Sequence, residues 1–402
     1  YQYVFYENEN LPAYLFMSVV VALFLGLIGS SEEIIKDRRI LKRESFLNLS
    51  RGSYLNSKIL LLFIVSAIQT LSFAVVGNFI LEIKGMTMSY WLILFSTSCF
   101  ANMLGLNISS AFDKVITVYV LIPFLLIPQL LLSGVIVKFD KLHRSFTKFD
   151  NVPVIGDMMT SRWAYEALSV HQFKDNDYQK MSFKSAMGKS QNWWYYEDLI
   201  PPLEIKTKEC LQAIGKEENK EHFDENIYKI RKYMGLLSDV AGVDNRDFLD
   251  GFNSENFDSI CSAITLEKLD DLKSYFWSEY LRYNNSVDSI ALDIENRLGK
   301  DYENELIANY QNEKLKSSML NEMSIDQTVE TRKSIIQKYQ PGYMIPTSKI
   351  GRAHFYAPVK RLGNKEVDTY WFNMAAIWFL TLILYLTLYK DILRKILNLR
   401  IR

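Results

Sequence analysis

Apolar runs are distributed unevenly along the chain. Five segments are mostly apolar over about the 20 residues that a helix needs to cross a bilayer: 11–30, 59–81, 88–112, 115–137 and 370–389. Four of them lie within the first 137 residues, joined by short connections, which the core helices of a soluble protein would not do. The pattern predicts an all-α, polytopic membrane helix bundle. The intervening stretch 138–368 is polar on average and predicts a second, mainly helical domain. Apolar positions recur there at helical spacing in 203–240 (Ile227, Ile230, Met234), in 265–287 (Leu266, Leu269, Leu272, Tyr275, Phe276) and in 301–320. The aromatic, proline-broken stretch WWYYEDLIPPLE, 193–204, reads as a loop or packing elbow. The expected division is a membrane domain 1–137, a helical domain 138–368, and a last span with a basic tail, 369–402.

Basic residues orient this bundle. Segment 30–58 carries seven (Lys36, Arg38, Arg39, Lys42, Arg43, Arg51, Lys58), and the tail carries Lys390, Arg394, Lys395, Arg400 and Arg402. The leader 1–10 has none. Cytoplasmic loops are the ones enriched in Lys and Arg. Segment 30–58 and the tail are therefore expected in the cytoplasm, and 138–368 outside the cell (inner) membrane. The bases of 30–58 are interleaved with Glu32, Glu33, Asp37 and Glu44, so it is no simple polybasic lipid clamp. It reads as a helix over about 32–46 and a turn-rich elbow over 48–56. Across the chain 46 basic residues balance 46 acidic ones, which gives no case for nucleic acid as a partner. The first residue is Tyr1, and the chain reads as a piece of a longer protein.

The spans hold no deep ionisable group of the kind that ion-coupled carriers use. Their polarity is neutral: Gln69, Asn78, Ser96, Thr97, Ser98, Asn102, Asn107 and Gln129. Such groups face a bundle interior, either as interhelical hydrogen bonds or lining a path. Gln69, Asn102, Asn107 and Gln129 are the candidates for a substrate path. Pro123 and Pro128 favour a kink in the fourth span. No P-loop pattern and no metal-ligand spacing occurs. The expectation is no catalytic, cofactor or metal site in this chain. Cys210 and Cys261, the cysteines outside the spans, can pair in an oxidising compartment or stay as buried thiols. Cys99 reads as a small apolar filler.

Three stretches resemble the membrane domain of type-2 ABC exporters (ABC-2 type permeases), most closely the G-subfamily layout. In ILKRESFLNLSRGSYLNSK the residues Arg43, Glu44, Tyr54 and Lys58 fit the family's Arg-Glu pair, Tyr-rich segment and span-opening Lys. FANMLGLNISSAFDK is similar to the family's Gly- and Ser-containing helix end. In the third, 133–174, Arg162, Tyr165, Glu166, Ala167, Leu168 and Phe173 fit an Arg-x-x-Tyr-Glu-Ala-Leu-like helix. The resemblance implies that the five spans are helices two to six of a six-helix unit. It implies a homodimer, alternating access in the lipid bilayer, and an ABC ATPase domain, fused upstream or separate, that binds ATP and Mg. Arg43, Glu44 and Tyr54 would couple to that ATPase. Almost 200 residues separate Phe173 from the last span, a departure from the family. That layout is similar to large Bacteroidota proteins with the ATPase fused ahead of the permease. The rival reading is a non-transporting membrane anchor that presents its outer domain as a binding or scaffold module.

Overall fold

A computed structural model describes residues 3–44, 50–139, 142, 151–214, 220–324 and 327–400. Helices α1 (Leu11–Ser31), α2 (Glu33–Glu44), α3 (Arg51–Ile80), α4 (Thr87–Ala111) and α5 (Val115–Leu131) come first. They are followed by α6 (Val154–Asp157), α7 (Thr160–Lys174), α8 (Gln179–Trp193), α9 (Ile200–Ala213), α10 (Lys220–Ala241) and α11 (Arg246–Gly251). Next come α12 (Ser259–Leu298), α13 (Lys300–Tyr310) and α14 (Glu313–Leu320). Two antiparallel hairpins, β1 (Thr328–Glu330) with β2 (Ile335–Gln337) and β3 (Val359–Leu362) with β4 (Lys365–Asp368), precede α15 (Thr369–Tyr389) and α16 (Ile392–Arg400). The fold is all-α apart from these hairpins.

The chain divides into two compact units. One comprises Tyr1–Gln179, Glu305–Lys316 and Ile345–Arg402; the other comprises Lys180–Asn304 and Ser317–Met344. In the first, α1, α3, α4 and α15 are long and apolar enough to cross a membrane. The fifth apolar helix, α5, has 17 residues, about 26 Å at 1.5 Å per residue. It stops short of the expected 137 because the chain turns at Leu132 and Gly134. Gly134 has φ +83°, a left-handed conformation that a Cβ disfavours. In the other direction, α3 starts eight residues before the expected 59, with the Ser50 hydroxyl accepting the Ser53 N–H at 3.4 Å as its cap. Most of the anticipated elbow is therefore helix, and residues 48–49 lie outside the described ones.

α4 is the axis of this unit, packed by α1, α3 and α15. Its approach to α1 is close because small residues meet. A Cβ on Gly26 would lie 2.6 Å from the Ser98 carbonyl oxygen and 2.7 Å from the Ala101 Cβ. α7 belongs to the same bundle, and every one of its side chains except His171 is buried. It packs on α1, α4, α5 and α15. Compactness therefore changes near residue 179, and not at the 137/138 boundary expected from hydropathy. α7 is polar in sequence, yet its buried charges Arg162, Glu166 and Lys174 are paired internally, so its burial is invisible to a hydropathy reading.

The second unit is built on α9, α10 and α12. Leu203, Ile230, Met234, Leu237, Leu269 and Phe276 are fully buried in its core. The helical periodicity holds, except that Tyr275 points outward and Leu266 is half-buried. The 193–204 stretch is helical and not a loop. A π-helical turn, Trp194–Leu199, runs into α9. Pro201 and Pro202 fall in the first turn of α9, where a missing N–H breaks no intrahelical bond. The run 301–320 is interrupted between α13 and α14, where the Asn312 side chain accepts the Leu315 N–H at 2.9 Å. Cys210 and Cys261 are not joined, and both thiols are free. Cys210 is buried in the core with Cys261 packed at its edge. Burial pushes the Cys210 thiol up to about 12 and raises that of Cys261. Both are thereby held as thiols and away from the thiolate that exchange requires.

Candidate functional site

The segment between α1 and α3 forms a tied strut. α2 follows α1 after Glu32 and is docked on the end of α4. The N–H groups of Ile34 and Ile35 donate to the Ser109 hydroxyl at 3.1 and 3.2 Å. Arg38 donates to the Ser110 carbonyl at 3.0 Å and ion-pairs with Asp113. α2 is also pinned to the first turns of α3. Lys58 bridges Glu33 and Asp37, each at 2.8 Å, and the Tyr54 hydroxyl donates to Asp37 at 2.9 Å. Ile34, Leu55, Leu62 and Leu106 close an apolar core beneath these polar ties. The opposite face carries Lys36, Arg39, Ile40 and Arg43, all exposed. Of the three residues expected to couple, Arg43 lies on the free face and Tyr54 is part of the internal tie. Glu44 ends α2, and its side chain lies outside the described residues.

The four path candidates separate. Asn102 is buried and donates to the Ser66 hydroxyl at 2.7 Å, joining α4 to α3. Asn107 is buried, donates to the Leu384 carbonyl at 2.9 Å and accepts from Thr387 at 2.9 Å, joining α4 to α15. With Ser98 donating to Ser66 at 2.9 Å and the Trp378 indole donating to Ser96 at 3.0 Å, they form a polar ladder along α4. Gln129 accepts the Ser161 N–H at 3.1 Å and ties α5 to α7. Gln69 alone of the four is exposed, on the face of α3 that also shows Val65, Ile68 and Val76.

A third group escaped the sequence reading. Glu166, on α7, is fully buried and accepts from Arg162 at 2.9 Å, from Lys360 at 2.7 Å and from Asn373 at 2.9 Å. Arg162 continues to Asp157 at 2.8 Å, and Asp157 meets Arg352 at 3.1 Å. Burial alone would raise the Glu166 carboxyl; Lys360 and then Arg162 outweigh it and hold it below the ordinary carboxylate range. The knot joins α7, the β3 strand and α15. Arg162 and Glu166 were legible as a motif. Lys360 and Asn373 were not, although an Asn five residues into an apolar span was a signal. Among the described residues, no three His, Cys, Asp or Glu side chains assemble as a metal site.

Four helices of this bundle are long and apolar enough to cross a membrane, and neutral polar ties join α4 to α3 and α15. Residues 1–173 match the ABC-2 type transporter family. The match, over less than half of the chain, supports an ABC-2 permease domain in this segment and indicates the permease component of an ABC transporter. No match is found among curated proteins or solved structures.

Proposed function

We propose that the chain is the permease part of an ATP-driven exporter. It moves a substrate out of the cytoplasm or inner leaflet by alternating access between two copies. An ABC ATPase, fused upstream or separate, supplies the energy from ATP and Mg. The observation that carries this reading is the strut. α2 presents Arg39, Ile40 and Arg43 outward and is tied on its inner face to α4 and α3. A push on the free face reaches α4, the axis of the bundle, without passing through a flexible loop. Gln69 supports the pairing of copies, because an exposed amide facing lipid would be left without partners. On this reading that face of α3 borders the partner copy and the path. The second unit, together with the β3–β4 hairpin, is extracytoplasmic, as the charge asymmetry implies. Arg43→Ala should leave the complex assembled while the ATP-driven movement per ATP hydrolysed falls roughly tenfold, within the range of measured coupling free energies. Spin-label distances at the outer end of α15, measured with ATP turnover, read this ratio. An unchanged ratio in both Arg43→Ala and Glu44→Ala removes the coupling role.

A further inference from the structure

The C-terminal helix α16 has no role in the transport cycle just described. It starts three residues after α15 ends, beyond a break at Asp391, whose φ is +53°. That left-handed residue stops the span and turns the chain. The corner is held in place, because Arg51 ion-pairs with Asp391 and donates to the Leu388 carbonyl at 3.4 Å. α16 packs on α4 and α15 with Leu393 and Leu397 half-buried. Ile392 and Ile396, one turn apart, stay 38% and 54% exposed. Lys390, Arg394 and Lys395 are exposed around them. Three cations at this end are neutralised: Arg38 by Asp113, Arg51 by Asp391, and Lys58 by Glu33 and Asp37. Lys390, Arg394 and Lys395 have no carboxylate partner among the described residues.

An aliphatic stripe edged by unpaired cations fits a surface that is anionic and apolar at once. We propose that α16 is an interfacial helix that seats Ile392 and Ile396 below the headgroups and pairs Lys390, Arg394 and Lys395 with anionic lipid. Continuity with the span favours lipid over a protein partner, since the exposed stripe begins where α15 leaves the membrane. The test uses the full chain in vesicles of phosphatidylcholine, with or without phosphatidylglycerol, and an environment-sensitive fluorophore on I396C. With anionic lipid the emission shifts to the blue and is quenched by acyl-chain nitroxide lipid, and salt reverses part of that quenching. In R394Q/K395Q the ratio of docked to undocked helix falls roughly thirty-fold, since each base near an anionic surface contributes on the order of 1 kcal/mol. A probe that stays accessible to aqueous iodide in anionic vesicles overturns the proposal. So does protection that arises only when the ATPase is added, or quenching that neither salt nor the double variant alters.

Discussion

Glu166 is the residue on which the junction of α7, β3 and α15 depends. Removing one partner of a buried ion pair leaves an uncompensated charge, which costs about 3–5 kcal/mol. Glu166→Gln strands Lys360, while Arg162 keeps Asp157, so thermal unfolding of the purified protein should show a loss of that order. Lys360→Met should cost less, because Glu166 keeps Arg162 and Asn373. Equal, negligible losses in both variants would contradict the knot. In the second unit, Glu330 is the titratable link. Burial by itself would raise its carboxyl, but hydrogen bonds from Lys206 at 2.7 Å and Lys229 at 2.6 Å hold it below the ordinary value. A carboxyl lowered on folding stabilises above its unfolded value, about pH 4, and that share is lost as pH falls through the lower folded value. Amide exchange in α9 and α10 should therefore quicken below that range, and Glu330→Gln should remove part of the acid dependence. Of these residues, only Glu166 and Arg162 were legible in sequence, as a helix motif. Lys360 lies 194 positions from Glu166, and pairing over that distance is set by the fold and not by local pattern.

At the scale of elements, the α1–α4 contact is the tightest helix pairing in the bundle to test. Gly26→Val drives a side chain against the Ser98 carbonyl, and overpacking of this kind costs about 1–3 kcal/mol. Gly29→Ala is the control, since a Cβ there meets nothing within 4 Å. It should be neutral or slightly stabilising by thermal unfolding, because alanine is the better helix former. The strut gives a second test. Asp37→Asn weakens the tie between α2 and α3 without touching the free face of α2. It should lower ATP-driven movement in the same direction as Arg43→Ala, while binding of the ATPase, measured by co-purification, stays intact. Normal movement in Asp37→Asn would show that the tie transmits nothing. Apolar length was enough to predict α1, α4 and α15 within a few residues. It misjudged α5, which a left-handed glycine ends early, and the start of α3, where Tyr54 and Lys58 are helical because their polar ends are satisfied by α2. It also missed the helicity of 193–204, since prolines that break a helix interior are tolerated in a first turn.

For the whole molecule, hydropathy separated greasy from polar chain, and the compact units follow a different line. α7 and residues 345–368 group with the apolar bundle because buried ion pairs and hydrogen bonds compensate their polarity. Hydropathy sums side chains one at a time and cannot register such mutual compensation. Which neutral polar groups tie helices and which face outward was likewise open in sequence, since both uses share one residue type. The fold divides them, with Asn102, Asn107 and Gln129 acting as ties and Gln69 left exposed. The central claim is that this permease works with an ABC ATPase that pushes on α2. It is tested most directly by isolating the protein from its native membrane through a C-terminal tag and measuring vanadate-sensitive ATP hydrolysis, with a photo-cross-linker at position 43. The account predicts hydrolysis in the purified complex and a cross-link from position 43 to the nucleotide-binding domain. A complex that hydrolyses no ATP and captures no such domain would contradict it and favour a membrane anchor.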